Sequence, residues 1–537
     1  MIARVCLVVL LLIAPFEPRF TLPAGFFRLS LLEAIALPCF AVFAFTSRRR
    51  PMRLDAPPLL ALCLLAGVAL VSAGLADLEP GRALKFALRL GAMAAFAALV
   101  SRLDALDLKW GFRALALSGT CAAILAIAEG LGLRALDAFL GTFREIPFNV
   151  AGLRRASAGS EYPNLGAAMI VYALLTGVTL LRARPWIRAA FVAVMTLGLA
   201  FTYSRGAWLA GFVALLTLGW FERGVRRLLP SSAYLGVLTL LAASEEISRL
   251  RFGGENANDF YAATYQSVER LELRPSERVV VPVTVRNVGR RPWRAAEEIH
   301  LSYHLYEHSR RPLVDGPRTD LPRDVGPGDS VMLEAILRAP AKPGEYLLMW
   351  DMVHEDTTWF SGQGIKPGTA HLRVKDDSSV SAPAPPPSEA APMAAIPDTL
   401  AWRPSRLDLW KIALRMWAEN PLLGVGPDNY RWMYGTVAGK SVFDTRVFAN
   451  NLFLELAATL GTLGLAAFGA AVALALHAGV PAAGRSDLSL IALSILVAVV
   501  VHGLADYLLA FTGHYLVFGF VMGVLSRPVA GPAAHGL

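Results

Sequence analysis

A chain of 537 residues that is 55% hydrophobic and only 17% charged is too apolar for a soluble multidomain protein and is organised by a lipid bilayer. Its 51 basic and 42 acidic side chains leave a net charge of +9, which in such a chain reports membrane sidedness and gives no support to a nucleic-acid partner. Cys6, Cys39, Cys63 and Cys121 lie in apolar runs without a CxxC pair, so they read as packing residues and suggest neither a zinc site nor a redox motif.

Taken in order, apolar runs suited to spanning occur near 3–20, 27–46, 57–75, 82–100, 112–130, 163–181, 187–203, 205–221, 229–244, 452–476, 487–505 and 507–526. They predict a polytopic α-helical membrane protein of about twelve transmembrane helices, the runs at 205–221 and 229–244 being short against the ~20 residues a span needs. The opening MIARVCLVVLLLIAPF resembles a signal peptide but lacks a clear small-residue cleavage site, so it reads as a retained first helix.

With the N-terminus in the cytoplasm, the loops carrying Arg48, Arg49, Arg50 and Arg53, then Arg102, Lys109 and Arg113, then Arg182, Arg184 and Arg188, then Arg223, Arg226 and Arg227 all fall inside. That is the bias expected of cytoplasmic loops. Both termini then face the cytoplasm, while the loop 131–162, a tight turn at Arg205 and residues 245–450 face the other, periplasmic side. The expected organisation is an N-terminal membrane domain of about nine helices over 1–245, a connector over 246–267, a periplasmic β-sandwich over 268–375, a linker over 376–400, a periplasmic amphipathic helix and loop over 401–451, and about three membrane helices over 452–530.

The loop 131–162 contains Arg134, Arg144, Arg154 and Arg155 and closes on YPNLG, where Pro163 holds Tyr162 extended and Asn164 is suited to capping the next helix. In FTYSRGAW, residues 201–208, Arg205 ends one apolar run and opens the next. A guanidinium there keeps its proton and is costly to hold in hydrocarbon, so it either snorkels to the headgroups or requires an anion. It lies on the side where the topology rule does not call for a cation.

Residues 268–375 change character. Val279, Val281, Val283 and Val285, then Val331, Leu333, Ala335 and Leu337, then Tyr346, Leu348, Trp350 and Met352 alternate with other residues, and GPGD at 326–329 and KPGE at 342–345 supply turns. Period two with such turns predicts a small antiparallel β-sandwich of about a hundred residues. NVGRRPW at 287–293, Trp350 and WFS at 359–361 resemble immunoglobulin-like modules that accompany glycan-active enzymes, with the tryptophans serving as core or as sugar platforms. His300, His304 and His308 would share a helical face, but their surroundings alternate as a strand, which separates successive histidines by roughly 13 Å and removes a shared metal.

DDSSVSAPAPPPSEAAPMAAIPDT, 376–399, reads as an extended, disordered tether. PSRLDLWKIALRMWAENP follows, with Ser405 as cap, Leu407, Trp410, Ile412, Leu414 and Trp417 as an incomplete apolar stripe, and Asn420 with Pro421 as stop. It predicts an amphipathic helix on the outer membrane surface with Arg406 in its first turn. GVGPDN at 424–429 lacks P-loop spacing and reads as a turn.

TYSRGAW, a long extracytoplasmic loop with RLDLWKIAL, NPLLGVGPDN and NNLFLELAATLGTLG, and then HGLADYLL at 502–509 together resemble the bacterial O-antigen ligase and polymerase superfamily, over about 1–245 and 400–530 but not the sandwich. The resemblance implies an inner-membrane, metal-independent, inverting glycosyltransferase without cofactor, moving a glycan from an undecaprenyl-diphosphate donor to a hydroxyl of a glycan, lipid or protein acceptor at the periplasmic face. It implies that Arg205 and Arg406 clamp the diphosphate, with Arg154, Arg155, Tyr203, Ser204 and Asn451 as further substrate-binding residues. The family histidine ahead of the tenth span is matched by Asn450, whose amide orients an acceptor but takes no proton at neutral pH; Asp506 is a substitute base or a partner for an arginine. His502 and His514 also lie near the last spans. The alternatives are a repeat-unit polymerase of the same superfamily and a non-catalytic glycan-binding or transport membrane protein.

Overall fold

The computed structural model describes residues 1–24, 27–47, 56–144, 148–150, 153–226, 261–289, 292–307, 314–355, 358–361, 365–375, 404–439 and 445–527. Its helices are α1 (Ile2–Ile13), α2 (Leu31–Ser47), α3 (Pro57–Gly74), α4 (Pro80–Val100), α5 (Ala105–Gly130), the short α6 (Asp137–Leu140), α7 (Pro163–Leu180), α8 (Pro185–Phe201), α9 (Arg205–Phe221), α10 (Arg406–Glu419), α11 (Tyr430–Val437), α12 (Leu452–Ala483), α13 (Asp487–Gly503) and α14 (Thr512–Leu525). The protein is a polytopic membrane protein with an inserted β domain. Among the described residues, α3, α4, α5, α7 and α12 are long and apolar enough to cross a bilayer, and α1, α2, α8, α9, α13 and α14 are shorter apolar helices. The run at 229–244, the tether at 376–399, and Arg48, Arg49, Arg50, Arg53, Arg227 and His308 lie outside the described residues.

Two helices are shorter than their apolar runs. α1 stops at Ile13, because Pro15 and Pro18 follow and proline removes an amide donor and clashes with the preceding turn. The chain then forms a hairpin of β1 (Thr21–Ala24) and β2 (Phe27–Ser30). The last run reads 507–526, but α14 begins at Thr512, since 504–511 is spent on a turn that holds the candidate site.

Alternate helix ends gather in two layers. At one, Arg4 of α1 pairs with Asp107 of α5 (2.6 Å), Arg182 after α7 pairs with Asp487 of α13 (2.8 Å), and Arg188 of α8 lies 3.6 Å from Glu222 after α9. The opposite ends carry Glu33 with Arg89 (2.5 Å), and the hydroxyl and amide of Thr512 donating to Glu17 (2.5 and 3.1 Å).

The loop after α10 docks onto a break in α12. Gly461 has φ +65° and ψ −166°, which interrupts the helix, and residues 421–426 bond to the freed backbone: Val425 N to Ala458 O (2.9 Å), Gly426 N to Thr459 O (3.1 Å), and Thr462 N to Pro421 O (2.7 Å). Ser72 of α3 adds bonds from its hydroxyl to Leu423 O (2.7 Å) and Thr459 O (3.2 Å). Irregular backbone at membrane depth persists only when protein satisfies its polar groups in this way. A β-carbon on Gly461 would strike the backbone of Leu422 and Leu423 and would sit at a left-handed φ. Gly461→Ala should therefore lower stability by on the order of 2 kcal/mol or more, read as a lower melting temperature of the detergent-purified protein; an unchanged melt would show that this break is not constrained.

The inserted domain has one sheet with strand order β10-β8-β12-β14-β6, to which β9 and β13 add at β8 and β12, and a second of order β11-β7-β5. The strands are β5 (Ala263–Gln266), β6 (Arg270–Leu273), β7 (Arg278–Asn287), β8 (Ile299–Tyr306), β9 (Val314–Asp315), β10 (Thr319–Asp320), β11 (Ser330–Arg338), β12 (Gly344–His354), β13 (Thr358–Trp359) and β14 (Gly368–Val374). Val281, Val283 and Val285 face inward and meet Ala335, Leu333 and Val331 in antiparallel register, as the alternation predicts. One pairing departs from an all-antiparallel sandwich: β14 runs parallel to β6. The tryptophans resolve as core. Trp293 and Trp350 are fully buried, in edge-on contact with Phe360 (5.5 Å) and Tyr303 (5.6 Å), and Trp359 lies between His304 (4.1 Å) and the Arg318 guanidinium (4.7 Å). His300 and His304 lie on strand β8, and His300 pairs with Asp320 (2.8 Å).

Asp351 is buried in this core, accepting from Ser361 N (3.2 and 3.1 Å) and the Tyr265 hydroxyl (3.2 Å). Burial pushes its carboxyl up to about 7 against those hydrogen bonds, which favour the ionised form. The folded state therefore holds this proton more tightly than the unfolded chain, whose aspartate titrates near ~3.9. Its stabilising contribution is complete below about pH 4 and is lost as the pH rises towards about 7, by at most about 1.4 kcal/mol per pH unit. Unfolding followed by tryptophan emission should show a sandwich more stable at pH 5 than at pH 8, a difference that Asp351→Asn should reduce.

Candidate active site

The site grows from three loops at one layer. Ala156 N bonds to Phe201 O (2.9 Å), laying β4 (Leu153–Arg155) along the turn between α8 and α9. Arg155 Nε then donates to Thr202 O (3.0 Å) and its Nη2 to the Asn164 amide oxygen (2.8 Å). Asn164, in the first turn of α7, passes the connection on: its amide nitrogen donates to Asp506 Oδ2 (2.5 Å), and Asp506 Oδ1 accepts from Tyr507 N (2.8 Å). A chain of polar contacts thus joins residues separated by 342 positions.

Arg406 opens α10, whose capping box of Ser405 and Asp408 fixes the helix start. Its Nη1 donates to Ala505 O (2.8 Å), one residue before Asp506. Arg205 opens α9 after Tyr203, held at φ +50°; the next residue, Gly206, lies against Ala505 and His502, where an added β-carbon would come within 3.3 and 3.1 Å of them. Arg205 and Arg406 both have exposed side chains, from parts of the chain 201 positions apart in number, and both bear on the turn 502–506.

Arg205 and Arg406 are each near enough to act on Arg155. Burial pushes the Arg155 guanidinium down to about 10; Asp506 works against that, while the positive charges of Arg406 and Arg205 add to it. At neutral pH Arg155 remains protonated. Among the described residues, α7, α9 and α10 all begin here, so their amino-terminal dipole ends add positive potential. Two buried polar atoms border the same place without a partner among the described residues: Ser204 Oγ, ahead of Arg205, and His502 Nε2. Buried polar groups are normally paired, and such an arrangement of donors around concentrated positive charge suits an anion with several oxygens.

The remaining predicted residues divide. Asn451 caps α12 through Phe453 N (3.0 Å) and Leu454 N (3.1 Å) and donates to Leu504 O (3.0 Å), so Asn450, half-buried at φ +50°, is carried to the arginine turn. Arg154 is engaged elsewhere: it pairs with Asp137 and lies 3.8 Å from Glu129, which in turn pairs with the buried Arg144 and accepts from Ser157 N (2.9 Å). Sequence reasoning read Asn164 as a helix cap and did not foresee it as the bridge between Arg155 and Asp506; its only signal was the adjacent proline at the helix start. α10 has the predicted bounds, but it buries Leu409, Ile412, Ala413 and Met416 against α12 and α11, leaving Leu407 and Leu414 exposed. Close packing on protein selects that face.

Residues 384–469 match the family model described as O-antigen ligase. Over those residues the chain is similar to the O-antigen ligase family. No curated protein matches it. The O-antigen ligase match takes in α10, α11, the docked loop, the break at Gly461, and Arg406, Asn450 and Asn451; Arg155, Arg205 and Asp506 lie outside it and reach it through the fold.

The Glu129 cluster supports the loop that presents Arg155. Glu129→Ala leaves Arg144, 4% exposed, with only the more distant Asp137 carboxylate at 3.8 Å, and removing one member of a buried pair costs about 3–5 kcal/mol. Thermal unfolding should therefore drop markedly for Glu129→Ala and much less for Asp137→Ala, whose carboxylate is 40% exposed.

Proposed function

We propose that this protein transfers a glycan from an undecaprenyl-diphosphate donor to an acceptor hydroxyl, inverting the anomeric carbon, with Arg155, Arg205 and Arg406 holding the diphosphate. The observation that carries the reading is that guanidinium groups from three loops bear on one turn, accompanied by one carboxylate, Asp506. As the acceptor oxygen bonds to the anomeric carbon, the bond to the diphosphate breaks and negative charge grows on the leaving group. Guanidinium donors fixed in advance stabilise that charge more in the transition state than in the ground state. They supply the positive charge that a divalent cation supplies elsewhere, so the reading needs no metal.

Tyr203, Ser204 and Asn451 shape the same turn, and Asn450 is assigned to orienting the acceptor; Arg154 has a supporting role through its acidic partners. The layer with Arg4, Arg182 and Arg188 is assigned to the cytoplasmic face of the inner membrane, in keeping with the bias of basic loops. The arginine turn and the β-sandwich are then periplasmic and both termini cytoplasmic. The domain boundaries of the sequence analysis are proposed with this arrangement, the sandwich reaching back to Ala263 at β5. Ligation and repeat-unit polymerisation share this chemistry, and a labelled lipid-linked glycan separates them: one larger product for a ligase, a ladder for a polymerase.

Arg205→Ala and Arg406→Ala should each leave expression and melting temperature close to wild type, because both side chains are exposed. Each should lower the transfer rate on the order of 10²-fold or more, the usual effect of removing one transition-state donor. Membranes carrying either variant and still forming product at the wild-type rate would dismiss the clamp.

A further inference from the structure

Apart from the arginine turn, a cavity of about 230 Å³ opens between the end of α1, the start of α7, residues Asp428, Arg431, Arg446 and Phe448, and the start of α14. The two sites share an aromatic wall: Tyr162 meets Phe511 edge-on (6.0 Å), and Phe448 meets Phe511 (6.3 Å) and Tyr507 (5.4 Å), the residue after Asp506. No step of the proposed clamp uses the residues of this cavity.

Its lining is strongly charged yet nearly balanced. Arg431 is gripped by both oxygens of Asp428 (2.7 Å each) and Arg89 by Glu33 (2.5 Å), so those cations are paired within the protein. Glu17, which accepts from Thr512, and Glu161 share the lining with Arg19 and Arg446, and both arginines lie within electrostatic reach of Glu161. Four arginines face three carboxylates in the lining, with Glu33 behind Arg89 as a fourth, so a second phosphate would find little excess of positive charge here. Alternating carboxylates and guanidiniums offer acceptors and donors suited to a ring of hydroxyls, and the faces of Tyr162, Phe448 and Phe511 offer apolar surface to the C–H side of such a ring. His514 also lines the cavity, is 5% exposed, and has an Nδ1 without a partner among the described residues, which leaves hydrogen-bonding capacity for a ligand. The volume is below the roughly 300–1,000 Å³ of sites for drug-sized ligands, which limits the occupant to one ring. Burial raises the Glu161 carboxyl above the usual range, making it a stronger acceptor of hydroxyl hydrogen bonds.

We propose that this cavity holds one sugar ring of the acceptor, with Glu161 and Arg446 bonding its hydroxyls. The proposal rests on the glycan-transfer reading for the identity of the acceptor, and its test does not depend on turnover. Saturation-transfer difference NMR on the full-length protein in detergent, with methyl α-D-glucopyranoside, methyl α-D-galactopyranoside and N-acetylglucosamine as probes, should give a saturable signal for at least one. Glu161→Gln and Arg446→Gln should each weaken that binding about tenfold or more, whereas Arg205→Ala should leave it in place. No saturable signal from any of the three sugars, or unchanged binding in both cavity variants, overturns the proposal. So does loss of the signal on saturation with lipid-diphosphate-linked glycan, which would give the cavity to a donor sugar. Failure of the glycan-transfer reading would show separately, as undiminished transfer by Arg205→Ala and Arg406→Ala.

Discussion

Like charges held at one turn are the constraint on which this structure depends. Arg205 and Arg406 each repel Arg155, and a fold tolerates such repulsion only when other contacts over-determine the geometry. Here the carbonyls of Thr202 and Ala505, the amide of Asn164 and the carboxylate of Asp506 hold the groups in place. One carboxylate does not neutralise them, and the beginnings of α7, α9 and α10 add to the imbalance. On the proposed function, this concentration of positive charge is where the donor diphosphate would be held.

The membrane scaffold supplies the rigidity this needs. α12 is broken at Gly461, and the loop 421–426 takes up the backbone groups that the break exposes, so α10 and α12 are joined through main-chain bonds. Asn451 then ties the start of α12 to Leu504. Arg406 at one end of this assembly and Asn450 at the other are thereby referred to the same turn. The O-antigen ligase match covers this assembly, whereas its electrostatic partners come from the N-terminal helices and from the last turn.

The β-sandwich has a core of its own, closed around Trp293, Trp350, Tyr303 and Phe360. Its largest aromatics, Trp293 and Trp350, are consumed in packing, while the half-buried Trp359 lies against His304 and Arg318. The proposed sugar subsite lies elsewhere, in the cavity lined by Glu161 and Arg446 beside the arginine turn.

Periodicity in the sequence was enough to determine the polytopic class, the alternating strands of the insert and the bounds of α10, because each depends on burial of side chains spaced by the local backbone geometry. The same local logic singled out Arg205 of SRG, between two apolar runs, and Arg406, in the first turn of α10, as cations at the outer membrane surface. Tertiary structure alone decided that Arg155 belongs with them and Arg154 with Glu129 and Asp137, although the two are neighbours in sequence. It also decided that Asn164 is a bridge, that α1 ends early, and that β14 runs parallel to β6. Successive side chains on a strand point to opposite faces, and which face meets which partner is settled by helices that are distant along the chain and are brought together by packing.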